Sequence, residues 1–600
     1  MVNTRWIINR SVDKQVVEDL SNVLGIDENL SALLVQRGIT NYDEAKNFFR
    51  PSLTHLHDPF LMKDMDKAVE RIKRACENGE KILIYGDYDV DGTTAVALIY
   101  TYLKNFINKK KIEFYIPDRY DEGYGISYKG IDYAADNGFN LVIVLDCGIK
   151  AVDKIEYANS RNVDFIICDH HRPGDEIPNA VAVLDSKRAD CEYPYKELSG
   201  CGVGFKLISA LSSSMGRSIE EVYELLDLVA VSIAADIVPI TGENRVLAYY
   251  GLQLINKNPR PGLEAVLSHA NVFRVEDEPA AESEHPQNVL NKEVTISDLV
   301  FMIGPRINAA GRLEKASDSV RLLISERKEH AEKLAASIND LNVKRREFDN
   351  KITEEALRMI EENDKIRSAK STVIFNENWH KGVIGIVASR LTDSYYRPTI
   401  VLTRSNNLIT GSARSIKNFD IYDAIDNCSD LLEHFGGHKY AAGLSLKPEN
   451  LEEFSRRFEE YVANNIDKEE LVPELNVDLE IDFADITPKF VRVLKQFAPF
   501  GPGNMAPVFL TKDVVDTGFS RSVGNKKHLK LTVAQKHEPE LVFAGIAFQK
   551  GDHYMRVHSK EPFSICYCIE KNFWQGRTSL QLNVKDIKFI DKENTDSVTC

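Results

Sequence analysis

Short apolar runs alternate with helical stretches between residues 81 and 184 of this chain. Strands that alternate with helices predict βαβ units, and such units build a parallel, doubly wound sheet. In these sheets, ligands bind beyond the carboxyl ends of the strands, so the residues that follow each strand are the first candidates for chemistry. The predicted strands are Lys81–Tyr85, Glu113–Ile116, Leu141–Leu145, Asp164–Cys168 and Ala180–Leu184, and a helix is predicted at Thr93–Phe106.

The chain should contain several domains, because 600 residues are too many for one hydrophobic core. Residues Ser325–Asn363 are highly charged and lack proline and glycine, which predicts a long helix. Its apolar positions are sparse, which favours a connecting helix over part of a core. A second α/β region, rich in glycine, is predicted to follow from about Ser371.

After Pro473, strands separated by polar turns predict a small β-barrel, and an oligonucleotide-binding fold is one candidate for it. The predicted strands are Leu475–Ile481, Val508–Phe519, His528–Val533, Leu541–Phe548, Phe563–Ile569 and Leu580–Phe589.

The expected domain boundaries follow these changes of pattern. Residues 275–287 are acidic, polar and proline-containing, which predicts an exposed loop inserted in the first α/β domain. We expect a helical cap over 1–55, the first α/β domain over 56–324, the connecting helix over 325–365, the second α/β domain over 366–470 and the barrel over 471–600.

The composition indicates the cellular compartment of the protein more clearly than its function. A net charge of −16 counts against a protein that coats nucleic acid, but a nuclease needs only a locally basic groove, and bound cations add positive charge. The nine cysteines are scattered without a Cys-x-x-Cys pair, which favours a reducing cytosol over a disulfide framework. We see neither a signal peptide nor an apolar run that could span a bilayer, so we expect a cytoplasmic protein with no membrane contact.

Carboxylates crowd the end of the first predicted strand. Asp87, Asp89 and Asp91 alternate before Gly92, at the start of a helix. Carboxylates packed this way repel one another, and a bound cation relieves the repulsion. A calcium loop of the EF-hand type is excluded, because the position that needs a glutamate is Leu98. A solvated acidic turn remains the alternative for this motif alone.

Two further strands end in the same chemistry. Leu141–Leu145 runs into Asp146, and Asp164–Cys168 runs into Asp169, His170 and His171. Three parallel strands then deliver carboxylate or imidazole to one edge of the sheet. Such a set without thiolate suits Mn²⁺ or Mg²⁺, and the neighbouring cysteines are expected to pack as small apolar residues.

A fourth candidate, Asp236, ends a strongly apolar helix that begins near Leu226. A carboxylate in apolar surroundings needs a partner. A hydrogen bond at the helix end and a metal ion both meet that need, so both interpretations stay open at this point.

The chain resembles a known family over nearly its whole length. Residues Asp87–Gly92 with Asp169, His170 and His171 resemble the DHH phosphoesterase superfamily, and later motifs in the same order resemble its RecJ family of single-strand-specific exonucleases. The segments at 379–385, 411–415 and 435–443 resemble the associated DHHA1 domain, and the last two resemble its phosphate-binding turns. The other motifs are Tyr115–Arg119, Glu122–Gly125, Gly304–Arg312 and, at the start of the barrel, Pro499–Asn504.

The resemblance implies a two-metal phosphoesterase. Two Mn²⁺ or Mg²⁺ ions would be held by Asp89, Asp91, Asp146, His170 and Asp236, with Asp146 as the bridge between them. Asp87 and His171 would orient ligands or touch the scissile phosphate, and Asp169 completes the catalytic set as the first residue of the DHH motif. Two cations in such a site clamp the attacking and leaving oxygens of an in-line displacement.

Other residues are candidates for binding the nucleic acid. Arginine forks suit phosphate oxygens, although an ordinary surface ion pair is the alternative for each arginine. Tyr124 is a candidate for stacking on a base, with packing between loops as the alternative. In the barrel, Lys526, Lys527, Lys530 and His528, with Phe573, Trp574 and Arg577, mix charge with aromatic rings as single-strand binding requires. The phosphate-binding candidates are Arg119, Arg306, Asn308, Arg312, Arg414, Gly436, Gly437 and His438.

The expected function is a 5′→3′ exonuclease on single-stranded DNA, with the polarity taken from the resemblance. A phosphodiesterase on short oligonucleotides or cyclic dinucleotides is one alternative, and the long β-rich region weighs against it. A non-catalytic single-strand-binding replication factor is another, but the acidic residues that it would have lost are all present. The expected partners are single-stranded DNA, single-strand binding protein and a helicase, in repair and recombination.

Overall fold

The computed structural model of the chain describes residues 4–9, 12–275, 289–559, 561–574 and 577–589. The acidic loop expected at 275–287 therefore lies, apart from Val275, outside the described residues. The chain divides into two compact units. One comprises residues 1–5, 118–121 and 305–475, and the other comprises residues 6–117, 122–304 and 476–600.

The N-terminal region is helical, as predicted, after one short strand. Asp13, Asp27 and Asn41 cap its helices, each accepting backbone N–H bonds with its side chain. Apolar residues of these helices share one hydrophobic cluster with the C-terminal barrel, so the cap and the barrel pack around a common core. Its elements are β1 (Arg5–Ile8), α1 (Lys14–Leu24), α2 (Glu28–Gln36) and α3 (Tyr42–Phe49).

The first α/β region contains the predicted parallel sheet. Its strands are fully paired in the order β3-β2-β4-β5-β6, and the order changes direction at β2. The carboxyl ends of β2 and β4 therefore flank the position where such sheets bind ligands. The strands are β2 (Ile82–Gly86), β3 (Ile112–Tyr115), β4 (Leu141–Leu145), β5 (Asp164–Cys168) and β6 (Ala182–Leu184), with α4 (Met65–Glu77), α5 (Val90–Leu103), α6 (Tyr128–Asp136) and α7 (Val152–Ser160).

A layer of helices follows the sheet. The helix Leu226–Ala235 in this layer is buried on all sides. The next helix packs closely against it, since a Cβ on Gly251 would lie 2.2 Å from the carbonyl oxygen of Leu226. The helices are α8 (Gly200–Ser214), α9 (Glu220–Tyr223), α10 (Leu226–Ala235), α11 (Gly242–Lys257), α12 (Pro261–Ser268) and α13 (Ile296–Asp298), and a π-helix at Leu299–Ile303 ends the layer.

The long charged stretch forms one helix of 35 residues, which confirms the helix prediction. The expectation that it takes no part in a core is wrong for its C-terminal half. Ile352, Ala356 and Ile360 recur every four residues and pack in a cluster with Trp379 and other apolar side chains, because even sparse apolar residues form a stripe at this spacing. The helices here are α14 (Gly304–Leu313), α15 (Ser317–Leu323), α16 (Lys328–Glu362) and α17 (Asp364–Ser368).

The second α/β region has a mixed sheet in the order β10-β11-β9-β8-β7. Gly411 and the Gly436–Gly437 pair, which the resemblance places in turns, lie inside strands. Clustered glycines normally signal turns, but here a Cβ on Gly437 would lie 2.4 Å from the carbonyl oxygen of Ala441 on the paired strand. The elements are β7 (Thr372–Phe375), α18 (Ile384–Tyr395), β8 (Thr399–Ser405), β9 (Leu408–Arg414), α19 (Ile421–Asp426), β10 (Leu432–His438), β11 (Ala441–Leu446) and α20 (Leu451–Asn465).

The C-terminal region forms the predicted β-barrel. Strands β14, β18, β19, β17 and β16 pair in succession, and a β16–β14 pairing closes the ring. The short edge strand β15 was not predicted from the sequence. The elements are β12 (Glu474–Val477), which pairs with β1, β13 (Leu479–Glu480), α21 (Pro488–Lys495), β14 (Phe509–Asp516), β15 (Arg521–Val523), β16 (His528–Gln535), β17 (Glu538–Ala547), α22 (Tyr554–His558), β18 (Phe563–Trp574) and β19 (Arg577–Phe589).

Two expectations from composition can be compared with the structure. The eight cysteines among the described residues are all free. In the same part of the chain, every helix is too short or too polar to cross a membrane.

Candidate metal centre

The three aspartates after β2 occupy the start of α5. Asp87 follows the strand and is buried, and Asp89 caps the helix by accepting the N–H of Gly92 at 3.1 Å. Asp91 lies in the first helical turn. Gly92 is required there, because a Cβ would lie 2.5 Å from the carbonyl oxygen of Asp87. The strand–helix junction therefore gathers the three carboxylates, as the sequence predicts.

Asp146 directly follows β4 and adopts the left-handed conformation, with φ of 61°. Its N–H donates to the carbonyl oxygen of Cys168 at 2.9 Å, which extends the sheet by one bond. Gly200, the first residue of α8, approaches so closely that a Cβ there would lie 2.7 Å from Oδ1 of Asp146. The side chain of Asp146 is 3% exposed, so its carboxylate is almost cut off from water.

Asp169 follows β5, and its carboxylate accepts hydrogen bonds from the two histidines that follow it instead of serving as a further metal ligand. Its Oδ1 accepts the backbone N–H groups of His170 and His171 and the Nδ1–H of His171 at 2.7 Å. Its Oδ2 accepts the N–H of Ile149. This leaves Nε2 of His171 facing the Tyr124 hydroxyl at 3.2 Å.

Asp236 occupies the C-terminal cap of α10, and its N–H donates to the carbonyl oxygen of Ser232 at 2.9 Å. The helix predicted to end here is therefore confirmed. The carboxylate of Asp236 does not turn back to the helix end, because its Oδ2 lies 3.5 Å from Nε2 of His170.

Three carboxylates converge on the imidazole of His170. Its Nε2 lies 3.1 Å from Oδ1 of Asp146, 3.5 Å from Oδ2 of Asp236 and 3.7 Å from Oδ2 of Asp91. Potential metal-ligand atoms of these side chains lie within 4.8 Å of one another in three groups. The groups are Asp146, His170 and His171; Asp91, His170 and Asp236; and Asp87, Asp89 and Asp146.

The buried polar atoms of this cluster lack partners of the ordinary kind. Within the described residues, Oδ1 of Asp146 and both ring nitrogens of His170 are buried without a hydrogen bond. Buried polar groups are almost always satisfied, so these atoms are placed to bind a cation. The donors are carboxylate oxygens and imidazole nitrogens without thiolate, a set that fits Mn²⁺ or Mg²⁺.

Burial and repulsion between the carboxylates shift the pKa values of the cluster. Burial, with the charges of Asp91 and Asp89, raises the pKa of Asp236 to about 8. Burial and the same two neighbours raise the pKa of Asp146 well above its usual range. Burial also lowers the pKa of His170, so its ring is neutral as a metal ligand must be.

Asp169 and His171 behave as an ion pair. Burial is the largest single influence and opposes charge on both groups, but their mutual hydrogen bond and charge attraction, with the other contacts, together outweigh it: the pKa of Asp169 falls to about 2 and that of His171 rises to about 9. Asp169 therefore keeps His171 oriented and charged.

Several residues that support the site were missed by sequence reasoning. Asp91 accepts the N–H groups of Gly200 and Cys201 at the start of α8 at 2.7 and 2.8 Å, and the Ser232 hydroxyl at 2.7 Å. These contacts join segments more than 100 residues apart, and nothing local signals them. Asp185 was also missed, although it ends β6 as the other aspartates end their strands; burial raises the pKa of its carboxyl to about 7.

Tyr124 and the cysteines lie beside the cluster. The ring of Tyr124 is exposed, and its hydroxyl also donates to the carbonyl oxygen of Asp146 at 3.2 Å. Cys147 and Cys168 are buried, and burial raises the pKa of both thiols, which agrees with packing as small apolar residues.

The candidates for phosphate binding belong to the other compact unit, as a group. There Arg312 donates to the carbonyl oxygen of Gly382, and Arg306 donates to the side chain of Asn339. Burial lowers the pKa of Arg414, whose guanidinium donates to the hydroxyls of Ser389 and Ser412. Asn308 is half-buried, Gly436, Gly437 and His438 are exposed on β10, and Arg119 lies in the 118–121 segment.

Models of three domain families match the chain. The DHH family, N-terminal domain, matches residues 81–233, which contain every strand-end residue of the cluster. The DHHA1 domain matches residues 368–464, and the RecJ OB domain matches residues 477–586.

Two curated relatives extend the match over the chain. The single-stranded-DNA-specific exonuclease RecJ of Bacillus subtilis (strain 168) is 36% identical over 586 residues, which cover 97% of this chain and 70% of that protein. The protein of the same name from Escherichia coli (strain K12) is 32% identical and covers 93% of this chain and 95% of its own length. The chain therefore belongs to the RecJ family, within the DHH phosphoesterases.

Solved structures share this fold. RecJ from Thermus thermophilus, in complex with Mn²⁺, has a TM-score of 0.80 at 24% identity, over 98% of this chain and 80% of that one. A second structure, an exonuclease RecJ bound to manganese, matches at 28% identity and a TM-score of 0.57, over 69% of this chain and 97% of that one.

The ion pair at the centre predicts a specific titration. In the metal-free chain, His171 should hold its proton up to about pH 9, and Asp169→Asn should lower the pKa of His171, because burial remains after the charge of Asp169 is lost. NMR of labelled histidine rings in the presence of a chelator measures both values. A histidine outside the centre serves as the internal control, and an unchanged His171 titration in the variant would contradict the pairing.

The same pair makes stability depend on pH. A raised pKa stabilises fully below the unfolded value of about 6.5 and loses its contribution as the pH rises through about 9, the value for His171. The lowered pKa of Asp169 contributes above about pH 4 and is lost as the pH falls towards about 2. The metal-free wild type should therefore lose more thermal stability than Asp169→Asn between about pH 6.5 and about pH 9.

Proposed function

We propose that this chain is a single-stranded-DNA-specific exonuclease that hydrolyses phosphodiester bonds with two divalent cations, proceeds 5′→3′ and releases nucleoside 5′-monophosphates. The observation that carries the proposal is the convergence of Asp91, Asp146 and Asp236 on Nε2 of His170, with orphaned polar atoms at the centre. The proposed substrate is that of the two RecJ relatives, which are named as single-stranded-DNA-specific exonucleases.

The ligand assignment follows the groups of atoms. Asp91, His170 and Asp236 would hold one cation, and Asp89 and Asp146 the other. Asp87, which the resemblance assigns to orienting ligands or touching the scissile phosphate, groups with Asp89 and Asp146 and is therefore placed for that role. Oδ1 of Asp146 also lies 3.1 Å from Nε2 of His170 in the other set, so Asp146 is the residue that both sets would share, as expected from the resemblance. Mn²⁺ and Mg²⁺ both suit these donors. Two cations held there supply positive charge to the phosphoryl oxygens and make an attacking water more acidic.

The remaining residues of the centre orient and charge this site. Asp169 fixes the ring of His171 through Nδ1, so that the other side of the ring faces outward with Tyr124. A protonated His171 is a donor that can touch the scissile phosphate, which is the role expected from the resemblance. The ring of Tyr124, 55% exposed, remains available to stack on a base.

Arg414 has the strongest support among the proposed phosphate clamps. Its guanidinium is half-buried and, within the described ranges, its hydrogen bonds go to hydroxyls and to one carbonyl oxygen. A charged group that is desolvated without a carboxylate is prepared for an anion such as phosphate. We propose that Arg119, Arg306 and Arg312 bind phosphate as well, with support from the sequence motifs alone, and that Asn308, Gly436, Gly437 and His438 join them.

The barrel supports a long single strand over a dinucleotide as the substrate. Arg521 and Lys530 lie directly opposite each other on β15 and β16, and like charges so placed repel unless an anion lies between them. Lys526 and Lys527 add charge on the connecting turn, and Phe519 and Phe548 expose their rings. The side chains of Phe573, Trp574 and Arg577 lie outside the described set.

Family membership supports a wider setting. We propose that the exonuclease acts in the cytoplasm, in DNA repair and recombination, on ends opened by a helicase and on strands covered by single-strand binding protein. The proposed site would cleave a single strand in the same way whichever pathway produced the strand.

The reaction and its direction can be tested together. With Mn²⁺ and single-stranded DNA labelled at either end, the wild type should release a labelled mononucleotide early from the 5′ end only, and should spare duplex DNA. Asp146→Asn keeps the size and tolerates the left-handed backbone but removes a charge, so the rate should fall at least about 100-fold. Early release from the 3′ label would contradict the direction, and an active variant would contradict the metal-dependent mechanism.

Arg414 gives a test of phosphate binding. Arg414→Gln should raise KM on single-stranded DNA about 10–100-fold, the scale of one charge-assisted contact. Arg414→Lys should recover only part of this loss, because lysine keeps the positive charge but lacks the planar fork of arginine. Arg404→Gln is the matched control, since Arg404 forms an exposed ion pair with Glu377 on the same sheet. Equal KM values in the glutamine variants would remove Arg414 from the clamp.

A further inference from the structure

We propose that the turn Pro499–Asn504, which leads into the barrel, is a positioning element that holds Asp236 in the metal centre. This inference rests on the proposed function, because it assigns a role towards one of the proposed metal ligands. The turn Pro499–Asn504 has no role in the proposed chemistry itself.

Asp236 needs an external support that the strand-end residues do not need. Asp87, Asp146 and Asp169 continue directly from strands of the paired sheet, whereas Asp236 ends a helix and is followed by a sharp reversal of the chain. The reversal occurs at Ile237, which has φ of 59°. A β-branched residue in this region is an outlier that persists only where its surroundings enforce it. Ile237 is 61% exposed, so its own side chain does not provide the anchor.

The turn binds the segment that follows Ile237. The N–H of Ile240 donates to the carbonyl oxygen of Pro502 at 2.6 Å, and Ile240 is 1% exposed. A Cβ on Gly501 would lie 2.5 Å from Cγ1 of Ile240. The turn therefore presses on this segment at a distance that only glycine permits.

Gly503 makes a second contact of the same kind. Its φ is 73°, and a Cβ there would lie 2.8 Å from Cγ2 of Thr241 and 3.5 Å from Cβ of Pro239. Two glycines of one turn thus meet three consecutive residues, Pro239 to Thr241. This explains why the motif needs glycine twice within six residues.

The turn is rigid enough to act as a support. Gly501 and Asn504 exchange backbone hydrogen bonds at 3.0 and 2.9 Å. The buried Asn504 amide donates to the carbonyl oxygens of Phe497 and Pro499, and its Oδ1 accepts Nε–H of Arg37. The turn is therefore held from the N-terminal helices as well as from within.

Helix α11 holds the same turn from the far end of the segment. Arg245 in its first turn is buried and donates to the carbonyl oxygens of Phe497 and Ala498, both at 2.9 Å, and to that of Phe48 at 3.0 Å. Asn244 donates to the carbonyl oxygen of Pro239 at 3.0 Å. The connection from Asp236 to α11 is thus fixed at its middle by the turn and at its end by α11, which itself holds the turn.

The test is Gly501→Ala, which places a methyl group against Ile240. Metal-free protein is titrated with MnCl₂ by isothermal titration calorimetry, which reads metal binding without catalysis. The affinity of one of the two Mn²⁺ ions should fall about 10–100-fold, as is usual for residues that orient a ligand, while the other ion keeps its affinity within about threefold. The Mn²⁺ concentration for half-maximal nuclease activity should rise in parallel, with near-normal activity at saturating Mn²⁺.

A compensating variant and a control separate positioning from general damage. Ile240→Ala in the Gly501→Ala background removes Cγ1, so Mn²⁺ affinity should return towards the wild-type value. Leu531→Ala creates a cavity in the barrel core far from the turn in sequence, and should lower the melting temperature without weakening Mn²⁺ binding. If Gly501→Ala does not fold, Asn504→Ser loosens the turn more mildly and should weaken Mn²⁺ binding in the same direction.

Each outcome has a defined meaning. A folded Gly501→Ala protein with wild-type affinity for both ions, or a Leu531→Ala protein with equally weakened binding, would overturn the positioning role alone. A wild type that binds no Mn²⁺ would overturn the proposed function and this inference together.

Discussion

The repulsion among buried carboxylates around His170 is the constraint on which the rest of this structure depends. At a separation of about 4–5 Å, two such charges repel by about 4 kcal/mol even with an effective dielectric constant of about 20. The fold meets this constraint with fixed donors, as Gly200, Cys201 and Ser232 donate to Asp91 and three N–H donors bind Asp169. Bound divalent cations would favour the charged forms of Asp146 and Asp236, whose pKa values burial and repulsion raise.

The parts of the fold and site that repeat along the sequence were predictable. Alternating apolar runs located the five parallel strands, and two of them, Leu141–Leu145 and Asp164–Cys168, match residue by residue. The rule that ligands gather at strand ends then placed Asp87, Asp146 and His170 together from the sequence alone. The same rule, applied to the last strand, would have found Asp185.

Contacts between distant segments could not be predicted in this way. The docking of Gly200 against Asp146 and of Gly501 against Ile240 depends on packing, and a glycine alone does not reveal what approaches it. For the same reason, Gly437 was assigned to a turn when a neighbouring strand required it. The proposed ligand Asp236 thus lies at a sheet edge that the sequence predicts, whereas its contacts with the rest of the chain appear only in the folded structure.

The most direct test of the central claim is an anomalous diffraction measurement on crystals grown with Mn²⁺. The account predicts two manganese peaks per chain, both contacted by carboxylate oxygens of Asp146, one of them also by His170 and Asp236. A single peak, or peaks that do not contact Asp146, would contradict the two-metal centre.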